Sequence, residues 1–442
     1  MAIDVKIEIV TGTLNTSTGV QRFDLPTGFG VPKAMMAFVS GATADDTVMA
    51  GAYLAMGMQS GFAASGAFSR SMAVNAADDS ATSDVWRIAN NSDLLYVYDG
   101  AVELRADIET MATDYFEIDI ISAPAAAYKI TWLVFGGDDI TDHGIGHNNR
   151  FNNVLNESAR VRVDYLDFKP DLIFVMSMHR RFNGYSSAGF TFGVGVLNDA
   201  GTAYDQHSIN FYSRNSQSTT SAHALVSDTY GGYNLNETSA GADFTFEPLA
   251  DGVDIQSGTA IPSDTQFMVL GFQFAAGVEL NVDTHDFGTS GNVAHTAPGF
   301  EPIFGMVAAA QGPTIRNTAQ PTNSQQFAAG IALFNSTDMV AISYTDEDAL
   351  SSVSNAKSLH SDQFRFLSVD GAADAWLGST PVFDADGWDS TATTNPLTNP
   401  MMGFALAIGE ASAGGGPSMS NAAYSNVTAT GVRMSVDISG IA

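Results

Sequence analysis

His143 and His147 stand four residues apart behind three carboxylates, Asp138, Asp139 and Asp142. On a helix that spacing puts two imidazoles on one face, where they can hold a transition metal while carboxylate oxygens complete the shell. The residues between them, however, are Gly144, Ile145 and Gly146, and each glycine costs a helix interior about 1 kcal/mol relative to alanine. The glutamate that a zinc hydrolase carries between its two histidines is missing as well. These five residues are therefore metal candidates for which a solvated polar linker is the preferred reading, and no cofactor is expected.

Other chemistry is no better supplied. No Gly-x-Ser-x-Gly elbow occurs in a strand-turn-helix setting, and serines cluster in loop-like stretches such as Ser216 to Ser221. Asp384 and Asp386 could flank a glycosidic bond, but Asp386 also opens a recurring Asp-Gly turn, which is the simpler role. Phosphate-loop and dinucleotide fingerprints are absent. Four tryptophans could stack on sugar rings. Trp132 and Trp388 fall in apolar strands and are expected in a core, whereas Trp86 and Trp376 lie in polar surroundings and are the candidates for contact with a ligand or partner. An enzyme is not expected.

The elements that would position these side chains repeat. A proline followed by an apolar strand occurs at Pro32 (PKAMMAF), Pro170 (PDLIFV) and Pro302 (PIFGMV), in steps of 138 and 132 residues. An aspartate that opens a strand occurs at Asp114-Tyr115, Asp251-Gly252 and Asp386-Gly387, in steps of 137 and 135. A closing apolar strand follows each time, at Trp132 to Phe135, Leu270 to Phe274 and Phe404 to Ile408. Gly51 to Gly57 (GAYLAMG) and Gly189 to Gly195 (GFTFGVG) share the 138-residue offset, and Ala329 to Phe334 is the remnant in the third copy.

Short runs rich in Val, Ile, Phe and Tyr between Gly, Asn, Asp and Ser clusters make each copy β-structure. The alternation of Met1 to Val10 reads as a first strand and not as a secretory signal. An all-β chain of three tandem, homologous β-sandwich-like domains follows, spanning 1–138, 139–276 and 277–410. Residues 411–442, a Gly-rich linker and a strand-like tail, come last and would pack on their own chain or add a strand to a neighbour.

Composition narrows the function. Against 48 acidic residues stand 18 basic ones, a formal charge of −30 that repels phosphate backbones and anionic lipid heads. Nucleic-acid binding is thereby set aside. Apolar residues make up 45% of the chain but never form the run of about 20 that a membrane helix needs, so no membrane insertion is expected. With no cysteine there is neither a disulfide framework nor thiolate chemistry.

The order of landmarks resembles a repeat of predicted virion proteins from environmental tailed bacteriophages. That pattern has a Thr/Gly-rich opening, a Pro-Lys-Ala strand, a Gly-rich strand, an Asp-Gly-Phe strand and a closing strand with Gly-Gly. Here Thr11-Gly12-Thr13, Val31-Pro32-Lys33-Ala34 and Phe135-Gly136-Gly137-Asp138-Asp139 match best, Phe168-Lys169-Pro170 and Asp251-Gly252 keep it, and Phe300-Glu301-Pro302 departs most. The resemblance implies a virion structural protein, on the tail as a fibre or tail-tip component in host attachment, or on the head as a decoration or spike. Its expected partners are further copies of itself, other virion proteins and a host surface glycan or protein. The alternative is a free carbohydrate-binding protein using Trp86 or Trp376.

Overall fold

Runs such as Ala34–Val39 (AMMAFV) and Leu172–His179 (LIFVMSMH) offer no polar face, and a strand of that kind must be covered on both sides. The computed structural model of the chain covers them so. It describes residues 3–61, 68–76, 85–98, 102–147, 160–163, 166–179, 187–201, 203–214, 222–235, 240–258, 265–287, 292–296, 298–311, 315–318, 326–347, 356–368, 374–394 and 401–410. No helix occurs among them. The expected tail, 411–442, lies outside the described residues.

Each repeat is a pair of antiparallel sheets with one topology. In the first, the inner sheet runs in the order Lys6–Thr13, Lys129–Gly136, Ala34–Val39, Ala52–Ser60, Phe68–Ala76, Val85–Asn90. In the second, the same places are taken by Ile140–His147, Thr265–Phe274, Leu172–His179, Phe190–Asp199, Tyr204–Ser213 and Ala222–Ser227. In the third they are Val278–Phe287, Met401–Glu410, Pro302–Gln311, Gln326–Asn335, Met339–Glu347 and Ala356–His360. The closing strand of every repeat is thus inserted between its first strand and its Pro-led strand, so each sheet is completed only by the last segment of its repeat.

A smaller outer sheet covers each inner one. Gly19–Asp24, Tyr115–Ser122, Val102–Ala112 and Leu95–Tyr98 form the first. Their one-sided burial shows in Val102–Ala112, where Leu104, Ala106, Ile108 and Met111 are buried and the residues between them are not. The second is Arg160–Arg162, Gly252–Gln256, Ala240–Leu249 and Gly232–Leu235. The third is Asn292–His295, Gly387–Thr394, Asp374–Gly378 and Phe364–Leu367, with Val382–Asp384 beside Gly387–Thr394.

Alternation assigns the two faces of each inner sheet to different cores. Met35, Ala37, Val39, Trp132 and Val134 face the outer sheet of the first repeat, while Met36, Phe38, Leu133 and Phe135 turn to a core shared by all three repeats. Phe174, Met176, Leu270 and Phe272 enter that core from the second repeat, and Phe304, Met306, Phe404 and Leu406 from the third. Phe135 meets Phe272 at 4.5 Å between ring centroids, and Phe211 stacks on Phe327 at 4.9 Å. The three sandwiches therefore share one hydrophobic core.

Their arrangement is cyclic. The first strand of a repeat packs on the fourth inner-sheet strand of the repeat before it: Ile140–His147 on Ala52–Ser60, and Val278–Phe287 on Phe190–Asp199. Lys6–Thr13 in turn packs on Gln326–Asn335, which closes the ring from the first repeat to the third. The chain passes between repeats through tight turns at 137–139 and 275–277. Gly137 there has a φ of 93°, and a Cβ on it would collide with the Asp4 carbonyl.

One expectation needs correcting. The segment around His143 and His147 is not a solvated linker but strand Ile140–His147, the first strand of the second sandwich, with His147 buried. Its glycines Gly144 and Gly146, awkward in a helix, are tolerated in a strand that lies against a neighbouring domain.

Candidate functional site

Each of the three seams of the ring brings polar and titratable side chains together. At each, the loop that follows the Pro-led strand leaves its own sandwich and caps the edge strand of another repeat, supplying backbone partners that an edge otherwise lacks. From the second repeat, Ser187–Ala188 pair with Trp86 and Arg87, and the Gly189 N–H donates to the Val85 carbonyl at 2.7 Å. From the third, the Asn317 N–H donates to Val226 at 2.8 Å. From the first, the Asp46 N–H donates to Leu359 at 2.8 Å, and Met49–Ala50 pair with Lys357 and Ala356. Asp46 and Asn317 both have a φ of 57°, the left-handed region in which Asp and Asn are the favoured non-glycine residues.

Histidines occur at every seam. His143 Nδ1 lies 2.9 Å from Ser60 Oγ, and His147 Nδ1 lies 3.4 Å from the Arg70 guanidinium, both between the first and second repeats. Burial holds His143 below the usual imidazole range, Asp142 opposes that shift and Lys33 adds to it. Between the second and third repeats His207 packs against the Phe404 ring, and burial lowers it too. Between the third and first, His360 Nδ1 meets Asp46 Oδ1 at 2.9 Å.

The strand geometry does not bring the five metal candidates together. Four residues along a strand span about 13 Å, so His143 and His147 cannot share an ion within the strand they occupy. Asp138 and Asp139 are engaged with the start of the chain: the Asp138 N–H donates to Asp4 Oδ2 at 2.9 Å, and Asp139 Oδ2 accepts the Asp4 N–H at 2.6 Å. Asp142 accepts from the His143 N–H. Among the described residues no three His, Asp or Glu side chains converge as a metal site.

Trp376 is corrected as a contact residue. It is fully buried in the third sandwich, 4.9 Å from Phe287 and 5.0 Å from Phe364, because its strand Asp374–Gly378 turns it inward against the inner sheet. Trp132 and Trp388 are core residues, as their strands suggest. Trp86 is half-buried and meets the Tyr98 ring edge-on at 5.9 Å.

Asp384 and Asp386 frame an exposed hairpin turn, where the Asp386 N–H donates to Asp384 at 3.3 Å. A hydrogen bond to Asp384 raises the Asp386 carboxyl. Carboxyls bonded to each other are closer than the separation of about 5 Å or more that a glycosidase uses to flank its substrate. Ser216 to Ser221 lie outside the described residues.

No protein-family model matches the chain, and no curated protein is significantly similar to it.

Sequence reasoning overlooked one polar group, the pair His285 and His295 in the third sandwich. Their rings lie 5.4 Å apart and both pack on Trp388, at 4.9 and 5.5 Å. Burial pushes His285 down to about 3, with the charges of His295 and Arg316 adding to the shift, and it pushes His295 down to about 4 against the pull of Asp283. Both are neutral side chains of the core at ordinary pH. For His285 the available signal was its alternation with Phe287 in Val278–Phe287, since residues 285 and 287 of one strand share a face.

Proposed function

We propose that this chain is a non-enzymatic structural protein of a tailed-phage virion, exposed on the tail in host attachment or on the head as a decoration or spike. The observation that carries the reading is the closure of three like sandwiches about one core. Every described inner-sheet edge strand capped by a neighbour's loop is withdrawn from chance pairing, which suits a protein that works at an exposed particle surface. A cyclic set of three near-equivalent faces also suits a three-fold position, such as a fibre axis or a local three-fold on a head lattice. A net charge of −30 keeps separate copies apart, and salt relieves the self-repulsion within each one.

Antibodies against the chain, applied to density-purified tailed particles from cells that express it, test the reading. Labelling of the tail tip or the head supports it. Label that remains with free protein and never with particles overturns it.

Carbohydrate binding keeps one specific observation in its favour, the half-buried Trp86 beside Tyr98 on the capped edge strand of the first sandwich. A glycan array read with the native chain and with Trp86→Ala distinguishes it, since loss of a sugar signal in a folded variant supports that use.

A further inference from the structure

We propose that the seam between the third and first repeats is a parting line, and that the partner it fits once open is a second copy of this chain, which exchanges its first repeat with the first copy. Three observations lead there. The seam is the one place in the ring where no covalent connection joins the two repeats, whereas turns at 137–139 and 275–277 tie the other two. An interface closed by a three-residue turn re-forms at a higher effective concentration than one whose partners are joined only through the rest of the chain.

Those contacts are partly opposed. Among the described residues they include the two-residue pairing of Met49–Ala50 with Ala356 and Lys357, the Asp46 N–H to Leu359, the Asp46–His360 pair, the Asn335 side chain donating to the Ile7 carbonyl at 3.5 Å, and the packing of Lys6–Thr13 on Gln326–Asn335 and of Ala52–Ser60 on Met339–Glu347. Glu8 faces the like charge of Asp338 across the same seam, and its carboxyl is raised by burial and then by that charge.

Finally, the interface is heterologous. The first repeat presents a first strand and a capping loop, and the third presents the surfaces that receive them. When the seam opens, each chain carries one unsatisfied donor and one unsatisfied acceptor. Two copies satisfy both by reciprocal exchange: with Gly137 as hinge the seam between the first and second repeats parts as well, and the contacts of both seams are rebuilt between chains.

The chain contains no cysteine, which makes the test direct. Met49 and Lys357 lie opposite each other in the ladder, so Met49→Cys with Lys357→Cys can lock the seam by a disulfide. Concentrated native protein is held in urea below its global unfolding midpoint, returned to buffer, and weighed by light scattering. The native chain is expected to shift from 46.5 kDa to twice that mass. The oxidised double variant is expected to stay at monomer mass, and its reduced form to behave like the native chain. Asp46→Ala, which removes a carboxylate that meets His360 across the seam without a covalent change, is expected to increase the doubled species. A native chain that stays at 46.5 kDa throughout overturns the proposal, and so does an oxidised variant that doubles as readily as the reduced one.

Discussion

Gly57 lies directly across the ladder from Ser71, and the same glycine–serine pair recurs as Gly195 with Ser208 and Gly330 with Ser343. In each repeat the chain crosses from inner to outer sheet over that glycine. A Cβ would collide with the Leu94 carbonyl at Gly57, with the Gly231 carbonyl at Gly195 and with the Phe366 ring at Gly330. The serine can serve the crossing too: Ser208 donates to the Tyr230 carbonyl at 2.8 Å, and Ser343 accepts the Leu367 N–H at 2.9 Å.

Replacing Gly57 by alanine is therefore expected to destabilise the chain by about 2 kcal/mol or more, the size seen when a packed site is overfilled. Urea unfolding followed by circular dichroism measures it. Gly201→Ala, at an open turn with nothing near a Cβ, carries a left-handed φ of 97° but no collision, and is expected to cost less.

Trp376 and Trp86 separate packing from recognition. Trp376→Ala removes a fully buried indole and is expected to cost about 3–5 kcal/mol. Trp86→Ala, at a half-buried position on the capped edge strand, is expected to lower the unfolding midpoint by a smaller amount. Any sugar signal lost through Trp376 should return when the assay is run below the variant's unfolding temperature, and one lost through Trp86 should not.

The buried histidines predict a direction for acid. His285 and His295 are held at about 3 and about 4 in the fold, against an unfolded value near 6.5. Between those limits the unfolded chain binds more protons, so stability is whole above about pH 6.5 and is lost as pH falls toward 4. At pH 5 each histidine should account for a loss on the order of 2 kcal/mol. Urea midpoints at pH 7 and pH 5 measure the slope, and His285→Gln with His295→Gln is expected to flatten it. An unchanged slope in that variant would assign the acid response to other groups.

Asn317 joins the second and third repeats with both its backbone and its side chain. Its Oδ1 accepts from Ser227 Oγ at 2.6 Å and from the Asp228 N–H, and its Nδ2 donates to Asp228 and Thr229. Asn317→Ala loses these bonds and places a Cβ-bearing residue without a local polar partner at a φ of 57°, so a cost of about 2–3 kcal/mol is expected. Asn317→Gly keeps the turn and should recover about 1 kcal/mol of that. Hydrogen exchange of the Ala222–Ser227 amides reads the same loosening locally.

What could be read in the residues was whatever depends on local pattern. Asp114 is one example: it sits at a φ of 63° in the turn between two outer strands and accepts the N–H groups of Gly28 and Gly30, which hold its carboxyl low. Asp386 does comparable turn work, its carbonyl accepting from the Gly299 N–H at 3.0 Å. The Pro-led and closing strands were legible for the same reason, since their composition alone demands burial. Trp376 was misjudged because polar neighbours in sequence say nothing about which side of a strand faces the core. His143 and His147 were misjudged as part of a solvated linker because the Gly and Asp residues around them are also what a loop carries, and no local pattern shows that the segment pairs with Thr265–Phe274.

The sequence by itself determined an all-β chain of three like units and the order of their strands, because hydrophobic period and turn chemistry act over a few residues. Only the tertiary structure decided that the closing strand of each unit enters the middle of its sheet, that the inner sheets share one core, and that loops are traded around a ring. Those features depend on pairings between residues more than a hundred positions apart, such as Lys6 with Gly136 or Asp46 with Leu359. No local pattern encodes such a pairing. It is selected when whole faces of the sheets come together and exclude water.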